Sequence, residues 1–159
     1  MKKQTLVLLI LTALLGIVSN DLLRPEPASA HCQIPCGIYN DPTRFSLLQE
    51  HITTIEKSMK QSTLLAAEPG KNANQIARWT LNKEKHADAF ADIIVSYFLQ
   101  QRIKPVSGDG RLNYLKKLEL CHHLLVGAMK AKQSTDLKVT ADLQTKLLTF
   151  QQAYLGKGK

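Results

Sequence analysis

The chain has little of what disordered, β-rich or nucleic-acid-binding proteins are built from. Its 159 residues hold only eight Gly and six Pro, which fits a globular, helix-rich chain and excludes a low-complexity one. No stretch shows the apolar–polar alternation of a half-buried strand, and there is no internal repeat. Aromatic residues make up 6% and do not interleave with the basic ones. Lys and Arg are scattered among acids, with no long basic run. The net charge of +8 therefore argues poorly for a nucleic-acid partner; a positive field of this kind draws in small anions. The longest apolar run, Leu6 to Val18, falls short of the roughly 20 residues that span a bilayer.

What is present begins with a leader. Lys2 and Lys3 open it, the apolar run follows, and Asn20 to Ala30 form a polar stretch ending in Ala28-Ser29-Ala30, a small-x-small cleavage sequence. Pro25 and Pro27 after the apolar run speak against an uncleaved anchor. Residues 1–30 are thus expected to be removed by a leader-cleaving protease, leaving no stable membrane anchor. The expected destination is outside the cytoplasm: periplasm, extracellular space or a lumen. Removing 30 of 159 residues leaves 129, one domain with a workable core. The leader holds Lys2, Lys3 and Arg24 against Asp21 and Glu26, so the mature chain keeps a net charge of +7.

Residues 42–159 read as four amphipathic helices joined by short loops, an all-α, antiparallel up-down four-helix bundle. Asp41 is expected to cap the first helix, with Pro42 in its first turn. Phe45, Leu48, Ile52, Ile55 and Met59 form one apolar stripe, and Glu68-Pro69-Gly70 is expected to stop it. A second helix, from about Asn72–Asn74 to before Lys104-Pro105, buries Ile76, Trp79, Ala87, Phe90, Ile94 and Tyr97, with Lys83 interrupting. A third, from Arg111 to Lys132, presents Leu115, Leu118, His122, Leu125 and Met129. The fourth, capped from Ser134-Thr135-Asp136, presents Val139, Leu143, Leu147, Phe150 and Tyr154.

The stretch hardest to explain as ordinary folding is His31-Cys32-Gln33-Ile34-Pro35-Cys36-Gly37-Ile38-Tyr39. Cleavage after Ala30 makes His31 the N-terminus. Its free amine, the Cys32 backbone nitrogen and the Cys32 thiolate then lie along one short run, and a metal bound by all three closes two fused chelate rings in a plane. Cys36 reaches the fourth side if Pro35-Cys36-Gly37 turns back, leaving the His31 imidazole to approach axially. Tetragonal N/S coordination points to Ni(II) or Cu(II) rather than tetrahedral zinc. Two readings compete with a redox enzyme here. One is an exported helical binding module with a Cys32–Cys36 disulfide, the commoner fate of such a pair. The other is a copper or nickel carrier without turnover.

In this H-C-x-x-P-C-G-x-Y stretch the chain resembles nickel superoxide dismutase, matching at His31, Cys32, Pro35, Cys36, Gly37 and Tyr39. The resemblance implies an N-terminal nickel hook, residues 31–41, ahead of the bundle, with one nickel ion per subunit. The ligands it implies are the His31 amine and imidazole, the Cys32 amide and thiolate, and the Cys36 thiolate. It further implies dismutation of the superoxide anion to dioxygen and hydrogen peroxide by Ni(II)/Ni(III) cycling, in a homohexamer. Pro35 and Gly37 would shape the turn, while Tyr39 and, through Ser96-Tyr97-Phe98, Tyr97 would screen the open face of the metal. Family leaders are often trimmed inside the cell by a dedicated protease, which makes a cytoplasmic location the alternative to export.

The sequence departs from that pattern in places. Gln33 stands where many members carry an acid. Leu48, with His86 opposite, falls where a first-helix Glu supports the axial His in many members; Glu50 could substitute only from a different side-chain direction. Cys121-His122-His123 resembles a second metal cluster, but successive helical residues point about 100° apart and cannot all face one ion. Cys121 is expected to be a buried small hydrophobe, and His122 a core or interface residue. Nickel content measured on purified variants should accordingly fall to background for Cys32→Ser and Cys36→Ser and stay unchanged for Cys121→Ser.

Overall fold

The structure is a computed structural model that describes residues 40–156. Four helices follow one another: α1 (Asp41–Leu65), α2 (Pro69–Asp92, continuing through a π-helical segment Ile93–Arg102), α3 (Arg111–Gln133) and α4 (Leu137–Leu155). Short connections make neighbours antiparallel. α1 packs against α2 and α4, and α3 closes the ring against the same two helices. Among the described residues there is no strand, and no helix is long and apolar enough to cross a membrane.

The α1 stripe is the core stripe expected: Phe45, Leu48, Ile52, Ile55 and Met59 are all buried. So are Leu143, Leu147 and Phe150 of α4, with Val139 and Tyr154 half-buried beside them. At the Asp41 end the core is aromatic. Phe98 packs against Phe150 at 4.9 Å and Phe45 at 5.0 Å between ring centres, and Tyr97 and Tyr154 close the cluster. Edge-to-face and tilted pairs of this kind add to the burial term.

Four sequence-based expectations are corrected. Asn40, not Asp41, caps α1: its side chain accepts from the Thr43 N–H at 3.1 Å, because the Asp41 carboxylate is engaged elsewhere. Pro69 does not stop α1, which ends at Leu65; it starts α2, a place where its missing N–H costs nothing. Ile76 and Trp79 are only half-buried at the outer end of α2. The buried side of α3 is not the leucine-rich stripe. Leu120, Cys121, Leu124, Gly127, Ala128 and Ala131 face the core, while Leu115, His122 and Met129 are exposed and Leu118 and Leu125 pack at its edge. Small residues let α3 approach α4 closely: a Cβ on Gly127 would lie 2.6 Å from a Leu143 methyl carbon.

Lys83, the charge that breaks the α2 stripe, is 6% exposed yet satisfied. Its ammonium donates to the backbone carbonyls of Lys132 (2.6 Å) and Ser134 (2.9 Å), closing the open C-terminal end of α3. Burial lowers its pKa, against the raising influence of Glu84. Lys132 answers from the surface, with Asp88 at 2.8 Å and Glu84 at 3.4 Å. Lys83→Met keeps the apolar stem but leaves two carbonyls without their donor, so it should lower stability by about 1–3 kcal/mol in urea unfolding while helical content persists.

Candidate functional site at the Asp41 end of the bundle

The residues that carry the metal-hook reading, His31, Cys32, Pro35, Cys36, Gly37 and Tyr39, lie outside the described residues, as does Gln33. Tyr97 is the one candidate from that set within the described bundle, and it sits at the end from which the chain leads back to residue 39.

There the Asp41 carboxylate is gripped by three side chains from two helices. Tyr97 donates its hydroxyl to Asp41 Oδ1 at 2.6 Å. Arg102 donates through Nε to Oδ1 at 3.1 Å and through Nη2 to Oδ2 at 2.8 Å, a bidentate pair. The Tyr154 hydroxyl donates to Oδ2 at 3.3 Å and accepts from Arg102 Nε at 3.1 Å. From α1, Arg44 lies over the Tyr97 ring, 5.0 Å from its centre.

The π-helical segment explains why Tyr97 and Arg102 converge. Five residues along an α-helix turn through about 500°, leaving two side chains roughly 140° apart. An i→i+5 ladder instead stacks residues five apart. That ladder is visible in the Ile103 N–H donated to the Phe98 carbonyl at 2.8 Å. Gln101 repeats the spacing with its side-chain amide, which donates to the Ser96 carbonyl at 3.1 Å. π-helical turns are rare and gather at functional sites. Sequence reading missed Arg102 and the role of Asp41 because α-helical periodicity puts Arg102 on a different face from Tyr97.

Electrostatics follow from the contacts. Burial alone would raise the Asp41 pKa; hydrogen bonds from Arg102 and Tyr97, with the Arg102 charge, outweigh it and hold the group below its ordinary value. Burial and the bond to Asp41 push the Tyr97 phenol up to about 12, so it stays protonated and donating. Beside the clamp lies a pocket of about 320 Å³ lined by Arg102, Lys104, Asn113, Tyr114, Lys117 and Tyr154 among others. Lys104 and Lys117, beside an Arg102 already paired with Asp41, make it attractive to a small anion.

The remaining candidates sort by exposure. Leu48 is fully buried in the core and Glu50 is exposed, so neither presents a carboxylate inward. His86 meets His51 of α1, Nδ1 to Nδ1 at 2.9 Å. Cys121 points into the core, where burial raises its thiol pKa to about 12, while His122 and His123 lie on the surface. The expectation of a core position for His122 is thereby corrected. Among the described residues no three His, Cys, Asp or Glu side chains gather to hold a metal.

The Asp41 clamp carries a pH signature. Its folded-state pKa is the lower one, so its stabilisation is complete above the unfolded value near 3.8 and drains away as pH falls through the folded value. Asp41→Asn should cost about 1.5–3 kcal/mol near neutral pH and flatten the acid limb of urea midpoints measured from pH 2 to 7.

No curated protein and no solved structure gives a significant match to the chain. The family model for nickel-containing superoxide dismutase, however, matches residues 26–157, spanning the H-C-x-x-P-C-G-x-Y stretch and all four helices, and the chain belongs to that family.

Proposed function

We propose that this nickel-dependent superoxide dismutase works through the first six residues of a mature chain beginning at His31, with one nickel ion per subunit. The observation that carries the reading is the extent of the family match, which begins at residue 26 and so takes in every hook residue. The donor set fits the ion. Two thiolates, an amine, a backbone amide and an imidazole form a donor set suited to tetragonal nickel, whereas no three His, Cys, Asp or Glu side chains gather among the described residues of the bundle. The His31 amine and imidazole, the Cys32 amide and thiolate and the Cys36 thiolate would hold the metal. When bound, nickel supplies the one-electron Ni(II)/Ni(III) couple, brought into reach of superoxide by thiolate donation.

The chain's own residues do the rest. Cys36 precedes Asn40 by four residues, a reach of at most about 14 Å at 3.6 Å per residue, so the hook belongs to the Asp41 end. Pro35 and Gly37 shape its turn. Asp41, fixed by Tyr97, Arg102 and Tyr154, gives the hook a rigid point of attachment. Tyr39 and Tyr97 would restrict access to the bound ion. Tyr97 does so with its hydroxyl proton committed to Asp41, so water is the better source of the protons that peroxide needs. Lys104 and Lys117 raise the local concentration of the anionic substrate.

Export after cleavage at Ala30/His31 and assembly as a homohexamer complete the reading. The alternative of a Cys32–Cys36 disulfide in a metal-free binding module is separated from it by the intact mass of the native protein. The decisive variant keeps one residue ahead of His31, converting the ligand amine into an amide. Superoxide turnover should fall to background while far-UV circular dichroism is unchanged; full activity with nickel bound would overturn the ligand assignment. Tyr97→Phe should retain nickel and lose activity only in part, checked by pulse radiolysis alongside metal analysis.

A further inference from the structure

Ten residues along α1 from Asp41, about 15 Å at the helical rise of 1.5 Å per residue, two imidazoles face each other across the α1–α2 contact. His51 and His86 are both half-buried, their rings are 5.1 Å apart at 59°, and their Nδ1 atoms are 2.9 Å apart. We propose that His51 and His86 form a second metal site, separate from the hook, that takes one borderline divalent ion of tetragonal preference, Cu(II) or Ni(II).

The geometry selects the ion. With metal–nitrogen bonds of about 2.0–2.1 Å, two donors at right angles are about 2.9 Å apart, whereas tetrahedral donors are about 3.4 Å apart. The observed 2.9 Å matches the right-angle separation rather than the tetrahedral one, and imidazole suits copper and nickel. Without metal the same distance fits one N–H···N bond, with one ring donating from Nδ1 and the other accepting. Binding requires the donor ring to move its proton from Nδ1 to Nε2. Both rings stay neutral, both Nδ1 lone pairs face the ion, and no net proton is released. Burial, and then the neighbouring His86, lower the His51 pKa against the opposing charge of Glu50, so His51 is unprotonated and ready to ligate at neutral pH. The exposed Glu50 adds a negative charge beside the site, and water completes the coordination.

The test is a titration of Cu(II) chloride into the full chain carrying His31→Ala, Cys32→Ser and Cys36→Ser, which removes the hook's side-chain ligands. One ion per chain should bind with an electron paramagnetic resonance pattern of two imidazole nitrogens. Added His51→Ala or His86→Gln should weaken binding at least about tenfold, as loss of a direct ligand must when outer partners alone cost that much. His122→Ala with His123→Ala should leave the affinity unchanged. If the two-nitrogen signal survives either variant, or if no ion binds while circular dichroism remains native, the pair is an N–H···N bond and the proposal falls. Because the hook's imidazole and both thiolates are absent throughout, a signal that depends on His51 and His86 is read independently of how nickel is held at His31.

Discussion

A single carboxylate organises the working end of this protein. Removed from water, Asp41 would be costly to keep ionised, and the cost is met by a bidentate guanidinium and two phenols from α2 and α4. The arrangement ties the first residue of α1 to the last residue of the π segment and to the final turn of α4. Each of those elements would otherwise end at the surface, free to fray. Because Asp41 follows the H-C-x-x-P-C-G-x-Y stretch by two residues, the same contacts that stabilise the helix ends fix the chain just after that stretch.

The clamp in turn depends on an irregular helix. Ten residues of i→i+5 backbone, Ile93–Arg102, make poorer use of their hydrogen bonds than an α-helix does, and among the described residues Gln101 Oε1 is buried without a partner. What the segment gains is the convergence of Tyr97 and Arg102 on the Asp41 carboxylate. The aromatic cluster of Phe45, Phe98, Phe150 and Tyr154 beneath it supplies the packing that holds this register. The helical irregularity is concentrated at the Asp41 end, a common place for a functional site.

In the function proposed above, nickel-dependent dismutation divides between two parts of unequal size. A bundle of ordinary helix packing provides a platform with a basic pocket beside the clamp, and a short peptide would supply the metal donors. Two of the departures from the family pattern fall in the bundle. Leu48 adds to the core, and His86 turns to His51 instead of toward a first-helix carboxylate.

How much was legible varied by element. The α1 and α4 stripes were read correctly because each has one wide apolar face and no rival. The α3 face was misread because Cys121, Gly127, Ala128 and Ala131 carry less hydrophobic signal than Leu115 and Met129, although small side chains are what close helix approach demands. Lys83 looked like an interruption and is a cap on a neighbouring helix, a role no local pattern encodes. The sequence by itself determined the four helices and the family, since periodicity, residue identity and spacing are local properties. Tertiary structure alone decided the Asp41 clamp and the His51–His86 pair. Both join groups 35 to 113 residues apart, and the clamp also needs a π register that α-helical periodicity does not anticipate.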